Sequence, residues 1–153
     1  AVEVNAEQKT RLFAKACKRM ITFKDIKVAV LGLAFKPGTD DLREAPSLDN
    51  VKLLLEEGAN IVAFDPVAAG NFAKIYPQGE YNKGSIIYVN SVEEALKDAT
   101  ICFIFTEWEE IKKVSADTYK SLMKTPLVYD GRNIYDVDVM KENGIEYYSI
   151  GRK

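Results

Sequence analysis

The sequence contains no histidine among its 153 residues, which removes the side chain that most often performs acid–base catalysis near neutral pH. The same absence removes a ligand found in nearly all zinc sites of proteins. Only two cysteines are present, Cys17 and Cys102, and neither has the close-spaced partner of a metal-binding or disulfide motif. We therefore expect no metal site, and we interpret the two cysteines as buried packing residues of a helix and a strand.

Charge of one sign and long apolar runs are also missing. The 21 lysines and arginines nearly balance the 23 acidic residues, for a net charge of −2, so we expect no nucleic-acid partner. No apolar run approaches the roughly 20 residues needed to cross a bilayer, and the start of the chain lacks the pattern of a signal peptide. These features predict a cytoplasmic protein without a membrane partner. A composition of 47% hydrophobic and 29% charged residues is typical of one globular domain.

Short apolar runs alternate with helical patterns along most of the chain. The runs that predict strands cover 27–33, 61–64, 86–89, 101–105, 127–129 and 146–149, and the helical patterns cover 47–57, 91–97, 115–123 and 137–143. Two of the runs do not alternate polar with apolar residues, which indicates strands buried on both faces. We predict an α/β fold: a Rossmann-like, doubly wound parallel sheet of about six strands in the order 3-2-1-4-5-6, with helices on both faces.

An amphipathic helix is predicted over residues 5–21, ahead of the first strand. Asn5 and Gln8 have the spacing of a capping box at its start, as Ser91 and Glu94 do for a later helix. We expect residues 1–24 to continue a helix from a missing upstream domain and residues 25–153 to form the nucleotide-binding domain. The segment 68–84, rich in Gly, Pro, Asn and Tyr, is interpreted as a surface excursion.

The carboxyl ends of parallel strands are where ligands bind in such folds, so the residues that follow the strands are the candidate site. Residues 32–47 follow the first strand and contain two cations, Lys36 and Arg43, ahead of a helix N-terminus. This arrangement suits a phosphate. Alternatively, Asp40 and Asp41 simply pair with these cations. The three-glycine dinucleotide fingerprint is absent, so this is not an ordinary nicotinamide-cofactor turn.

Three further residues follow later strands, and each has a structural alternative. Asp65 is placed where a Rossmann domain binds ribose, but a turn residue that fixes the strand end is at least as good an interpretation. Arg132, next to Gly131, offers a planar contact to a phosphate or a base edge, or belongs to an ordinary turn. Trp108 is interpreted as a packing residue at the sheet edge.

The segment 32–47, GLAFKPGTDDLREAPS, is long and unusual in composition. Together with Asp65-Pro66, TEW at 106–108 and DGRNIY at 130–135, it resembles the C-terminal domain of the UDP-glucose/GDP-mannose dehydrogenase family. The likeness covers nearly the whole chain. The TEW segment is similar to that of the UDP-glucose members in particular.

The resemblance implies an enzyme of three parts: an NAD-binding Rossmann domain, a central helical domain with a nucleophilic cysteine, and a C-terminal domain that binds the nucleotide of the sugar. The reaction implied is oxidation of UDP-glucose to UDP-glucuronate by two NAD. Neither the glycine-rich cofactor turn nor the Gly-Gly-x-Cys motif is present here. We therefore expect a domain of a longer, homo-oligomeric enzyme, without catalytic residues and inactive alone, whose partners are a UDP-sugar and the missing domains.

By the same resemblance, Phe35 and Lys36 hold the nucleotide sugar, with Lys36 near its diphosphate, and Arg132 contacts the same ligand. Arg43 is similar in position to an arginine that reaches the NAD pyrophosphate. Two alternatives stay open. One is another sugar nucleotide, UDP-N-acetylmannosamine or GDP-mannose, and the other is a nucleotide-binding module without catalysis.

Overall fold

The structure, a computed structural model, describes residues 9–81 and 83–150. Helices and strands alternate along the described chain. They are α1 (Arg11–Arg19), β1 (Lys27–Leu31), α2 (Pro46–Glu56), β2 (Asn60–Phe64), α3 (Ala69–Ile75), β3 (Gly79–Tyr81), β4 (Gly84–Tyr88), α4 (Val92–Leu96), β5 (Ile101–Ile104), α5 (Glu109–Lys112), α6 (Ala116–Leu122), β6 (Leu127–Asp130), α7 (Val137–Glu142) and β7 (Glu146–Ser149).

The strands form one sheet in the order β3-β4-β2-β1-β5-β6-β7, in which every pair is parallel except β3 with β4. The six parallel strands have the predicted order, so the predicted α/β fold class is confirmed. β1 lies at the centre, where Val28 pairs with Ile61 of β2 on one side and with Ile101 of β5 on the other. The chain therefore winds outward in both directions from β1.

The central strands are buried on both faces, as their continuous apolar runs predict. Residues 28–31 of β1 and 101–104 of β5 have no exposed surface, and Cys102 is among them. Full burial of such an aliphatic side chain stabilises a fold by about 1.5–3 kcal/mol relative to exposure. These two strands consequently form a rigid base for the residues that follow them.

The segment 68–84 lies largely at the surface, as its composition indicated, but it has regular secondary structure. It contains helix α3 and strand β3, and Phe72 of α3 is fully buried against the rings of Tyr76 and Tyr88. The helix contributes a single buried large side chain, so it leaves no apolar periodicity in the sequence. Strand β3 is short and exposed, and it pairs antiparallel with β4.

The predicted N-cap at Ser91 is confirmed, and three other helix ends show equally local signals. Ser91 and Ser115 are N-caps whose side chains accept the backbone N–H groups of Glu94 and Thr118. Gly58 and Gly144 follow α2 and α7 with positive φ values of 89° and 83°, the conformation that ends many helices. The capping box predicted at residues 5 and 8 lies outside the described residues. None of the described helices is long and apolar enough to cross a membrane.

Helix α1 packs on the domain through a narrow face. Leu12 and Ala16, one turn apart, are its buried residues, whereas Cys17 and Ile21 are exposed. The prediction that Cys17 is buried is therefore wrong, because a residue adjacent to Ala16 is rotated by about 100° around the helix axis. The role of residues 1–24 as the continuation of an upstream helix stays a prediction.

Candidate functional site

The residues that follow β1, β2, β5 and β6 meet at the carboxyl edge of the sheet. From β1 the chain crosses to β2, and from β5 it crosses to β6, on the opposite side. The gap between β1 and β5 is thus the topological switch point, where open α/β sheets bind ligands. We take this edge as the candidate site.

The ends of β1 and β5 approach each other very closely. Gly32 has a φ of 87°, and a Cβ atom added to it would lie 2.5 Å from Cβ of Thr106. Only glycine tolerates both this backbone conformation and this contact. The hydroxyl of Thr106 donates a hydrogen bond of 2.6 Å to the carbonyl of Ala34, which joins the two strand ends.

Asp65 is enclosed by hydrogen-bond donors and is 5% exposed. Its Oδ2 accepts the backbone N–H groups of Leu33 and Ala34, at 2.7 and 3.0 Å, and the indole N–H of Trp108, at 3.0 Å. Its Oδ1 accepts two backbone N–H groups of the turn that leads into α3, those of residues 67 and 68. Of the two interpretations of Asp65, the structure supports the turn residue, because neither oxygen is left facing a ribose. Trp108 is buried, as predicted for a packing residue.

The loop after Ala34 presents an aromatic ring and an ammonium group to solvent. Phe35 is 42% exposed, and its N–H donates to the carbonyl of Asp41 at 2.9 Å, which closes the loop 35–41. Lys36 is exposed as well. Within the described ranges, 9–81 and 83–150, Lys36 takes part in no ion pair.

Arg43, predicted to reach the cofactor, is paired with Asp41 at 2.9 Å and its side chain is 88% exposed. The hydrogen bond and charge of Arg43 lower the pKa of Asp41 to about 2. Pairing of an aspartate with a cation was the alternative interpretation, and it holds for Asp41 and Arg43. Asp40 does not take part in this pair, and its carbonyl accepts a hydrogen bond from Asn71.

Arg132 is held by a carboxylate from the end of the neighbouring strand. Its guanidinium donates to both oxygens of Glu107, at 2.7 and 3.2 Å. Burial alone would raise the pKa of Glu107, but the hydrogen bond and charge of Arg132 outweigh it and hold this pKa below its usual value. The backbone of residues 132–134 is fixed as well. Buried Asp130 accepts hydrogen bonds from the backbone N–H groups of Arg132 and Ile134 and from the hydroxyl of Tyr147.

The pairing of Glu107 with Arg132 is not predicted above from the sequence. A signal was available, because the predicted order makes β5 and β6 neighbours, so the residues that follow them lie side by side. Phe35 and Lys36 lie beyond β1, two strands from Arg132, which corresponds to about 10 Å across the sheet. The structure therefore places these three residues on one edge, with Thr106 and Glu107 between them.

Within the described residues, the cavity that Arg132 lines is small. A cavity of 110 Å³ lies between α1 and the ends of β5 and β6, and its walls are formed by Lys9, Leu12, Pro46, Phe105, Gly131, Arg132 and Ile150. Ligand pockets usually enclose about 300–1,000 Å³, so this cavity is too small for a nucleotide. A nucleotide that contacts both Lys36 and Arg132 would therefore lie on the open surface between them.

Comparison with known proteins identifies the family of the chain. The profile of the UDP-glucose/GDP-mannose dehydrogenase family, UDP binding domain, matches residues 29–137. UDP-glucose 6-dehydrogenase YwqF of Bacillus subtilis is 40% identical over 152 residues, which are 99% of this chain and 33% of that protein. UDP-glucose 6-dehydrogenase of Rickettsia felis is 40% identical over 130 residues, 85% of this chain and 28% of that protein.

Solved structures give the same result. UDP-D-ManNAc dehydrogenase from Pyrococcus horikoshii has a TM-score of 0.70 at 27% identity and covers 97% of this chain, with 31% of its own length matched. A UDP-glucose dehydrogenase from Pyrobaculum islandicum has a TM-score of 0.68 at 27% identity, over 95% of this chain and 29% of its own. The chain belongs to the UDP-glucose/GDP-mannose dehydrogenase family and contains its UDP binding domain. It spans about a third of the length of the relatives it matches.

Proposed function

We propose that this chain is the UDP-sugar-binding domain of an NAD-dependent UDP-glucose 6-dehydrogenase, an enzyme that oxidises UDP-glucose to UDP-glucuronate with two NAD. The observation that carries the proposal is the carboxyl edge of the sheet, where Lys36 and Arg132 flank the switch point. The family match over residues 29–137 and the names of the relatives support UDP as the nucleotide.

The charges at this edge suit a diphosphate. A diphosphate carries about two negative charges, and each hydrogen bond from a cationic side chain typically contributes about 1.5–3 kcal/mol. Lys36 is exposed and is not ion-paired within the described residues, so its ammonium is available to a ligand. Arg132 is available by exchange, because an exposed ion pair such as that with Glu107 contributes only about 0.2–1 kcal/mol. We assign the exposed ring of Phe35 to the same ligand.

The oxidation itself is assigned to residues outside this chain. Cys102 is fully buried, and burial raises the pKa of its thiol well above the usual value, so it is not a nucleophile. Cys17 lies on α1 rather than on the carboxyl edge. NAD is proposed to bind mainly to the further length that the relatives possess, with Arg43 reaching its pyrophosphate. A homo-oligomeric parent in the cytoplasm stays a prediction.

Calorimetric titration of the chain with UDP, GDP, UDP-glucose and NAD tests this function. We expect UDP and UDP-glucose to bind, and Lys36→Ala to weaken both by tenfold or more, since a decade corresponds to about 1.4 kcal/mol. Lys97→Ala is the matched control, because exposed Lys97 contacts Lys27 at the opposite end of β1. It should leave both affinities unchanged.

Four results would contradict parts of the proposal. Absence of UDP binding, or equal weakening by both lysine variants, would remove the site from this edge. Tighter binding of GDP than of UDP would favour the GDP-mannose alternative. In the longer enzyme, Lys36→Ala should raise the Michaelis constant for UDP-glucose and Arg43→Ala that for NAD, and the reverse pattern would refute the assignment of the two cations.

A further inference from the structure

The two residues before Phe35 are held at every backbone polar group by side chains from other elements. The N–H groups of Leu33 and Ala34 donate to Asp65 Oδ2, at 2.7 and 3.0 Å. The carbonyl of Leu33 accepts the hydroxyl of Ser47 at 2.6 Å, and that of Ala34 accepts the hydroxyl of Thr106 at 2.6 Å. We call this group of three side chains, Asp65, Ser47 and Thr106, the loop anchor.

Asp65 is the member of the loop anchor that connects the most elements. Asp65 accepts five hydrogen bonds, which join the residues after β1, the turn before α3 and the indole of Trp108 after β5. All five partners donate a hydrogen bond to Asp65. An ionised carboxylate suits this surrounding because both of its oxygens accept hydrogen bonds and neither carries a proton. The residue is 5% exposed, so water does not replace a lost contact easily.

Beyond the loop anchor the chain is exposed, and little else fixes Phe35 and Lys36. Among the described contacts, the hydrogen bond from the Phe35 N–H to the Asp41 carbonyl closes the loop on its far side. The direction of the backbone after Ala34 therefore determines the position at which the Lys36 ammonium contacts a ligand. Binding energy from a flexible lysine depends on such positioning of its backbone.

We propose that Asp65 is a positioning residue for the nucleotide-binding loop: it acts on the ligand through Leu33 and Ala34, and not by touching a ribose. This inference rests on the proposed role of Lys36 in binding UDP. The same geometry explains why an acid at the end of β2, the place of the ribose-binding acid in dinucleotide-binding domains, does not bind a cofactor in this domain.

Asp65→Asn is the informative substitution because it changes the shape of the side chain very little. The amide keeps one accepting oxygen and gains an NH₂ group, which then faces either two or three backbone and indole donors. We expect this variant to bind UDP at least tenfold more weakly than the unaltered chain in calorimetry. Trp108→Phe, which removes one donor and buries no new polar group, should weaken binding by a smaller factor and serves if Asp65→Asn does not fold.

Loss of global stability is separated from loss of positioning by a control variant. Ile86→Ala creates a cavity in β4, on the far side of β2 from the loop, and should lower the melting temperature while leaving the dissociation constant for UDP within twofold. The inference is overturned if Asp65→Asn also stays within twofold, or if Ile86→Ala weakens UDP binding to the same degree.

Hydrogen exchange at the Phe35 amide gives a readout that needs no ligand. Asp65→Asn should accelerate this exchange, since the bond to Asp41 depends on the direction of the backbone, and Ile86→Ala should not do so selectively. If the unaltered chain does not bind UDP, the proposed function fails, but the exchange rates still decide about Asp65. Unchanged exchange at Phe35 would then overturn its positioning role.

Discussion

The ion pair between Glu107 and Arg132 leads to a prediction about the direction in which the affinity for UDP changes when Glu107 is substituted. Glu107 accepts hydrogen bonds from Nε and Nη2 of Arg132, which are two of the three nitrogens of the guanidinium that we assign to the diphosphate. Glu107→Gln removes the competing charge and leaves a neutral side chain of nearly the same shape. We therefore expect this variant to bind UDP more tightly than the unaltered chain.

The size of the effect follows from the exposure of the pair. The side chains of Arg132 and Glu107 are 40% and 29% exposed, so the pair contributes about 0.2–1 kcal/mol. Its removal should strengthen UDP binding by at most about fivefold, since 1 kcal/mol corresponds to roughly that factor. Arg132→Ala removes a diphosphate contact that contributes about 1.5–3 kcal/mol to binding. It also removes the ion pair with Glu107, so this pair no longer has to be broken when the ligand binds. The net loss is about 0.5–2.8 kcal/mol, or roughly 2–100-fold.

Calorimetry with UDP on Glu107→Gln, Arg132→Ala and the double variant measures both numbers in one cycle. The gain from Glu107→Gln should disappear when Arg132 is absent, because the carboxylate acts only through the guanidinium. If Glu107→Gln instead weakens UDP binding as much as Arg132→Ala does, Glu107 orients the arginine for the ligand rather than competing with it. The reasoning about exchange of partners would then be wrong.

Two other features give sharp expectations. Arg43→Ala should raise the pKa of Asp41 from about 2 toward its ordinary value of about 3.9 but not fully to it, because the backbone N–H of residue 43 still donates to this carboxylate and the charge of Lys36 remains. Carbon-detected NMR titration measures this shift. Because the folded-state pKa is lowered, the stabilisation is fully present above pH about 4 and is lost as pH falls toward 2. An Asp41 pKa that is the same in both proteins would contradict the pairing. Gly32→Ala should lower the free energy of unfolding in urea by about 2–5 kcal/mol, since the positive φ costs about 1–2 kcal/mol and the clash with Thr106 adds about 1–3 kcal/mol. Gly38→Ala, with a φ of 86° and no atom within 4 Å of the added Cβ, should lose only the first part, and equal losses would show that the contact is not tight.

The sheet could be predicted from sequence because its strongest signals are local. Continuous apolar runs mark β1 and β5, and Ser91, Ser115, Gly58 and Gly144 mark helix ends by the conformation or hydrogen bond that each residue type favours. Helix α3 and strand β3 were missed for the opposite reason. Each is short and buries little, so neither leaves a periodic pattern.

The candidate site could be predicted as an edge but not as a set of contacts. The order of the strands places the residues after β1 and β6 on the same edge, and the types of Lys36 and Arg132 indicate an anionic ligand. The partners of the charged groups depend on distances of a few ångströms between side chains from different strands. That is why the enclosure of Asp65 by five donors, and the pairing of Glu107 with Arg132, became visible only in the structure.

The contact between Gly32 and Thr106 also determines at which stage of folding the candidate site can form. β1 finds its partner β2 after one crossover, at Ile61, but its partner β5 only at Ile101, much later in the chain. Closing the longer loop costs more entropy, so the second pairing is the less local step of folding. During synthesis from the N-terminus, Lys36 is made long before Thr106 and Arg132, and the edge that carries all three is complete only when β5 and then β6 have docked. The proposed anion site at the switch point therefore forms late, together with the second half of the sheet.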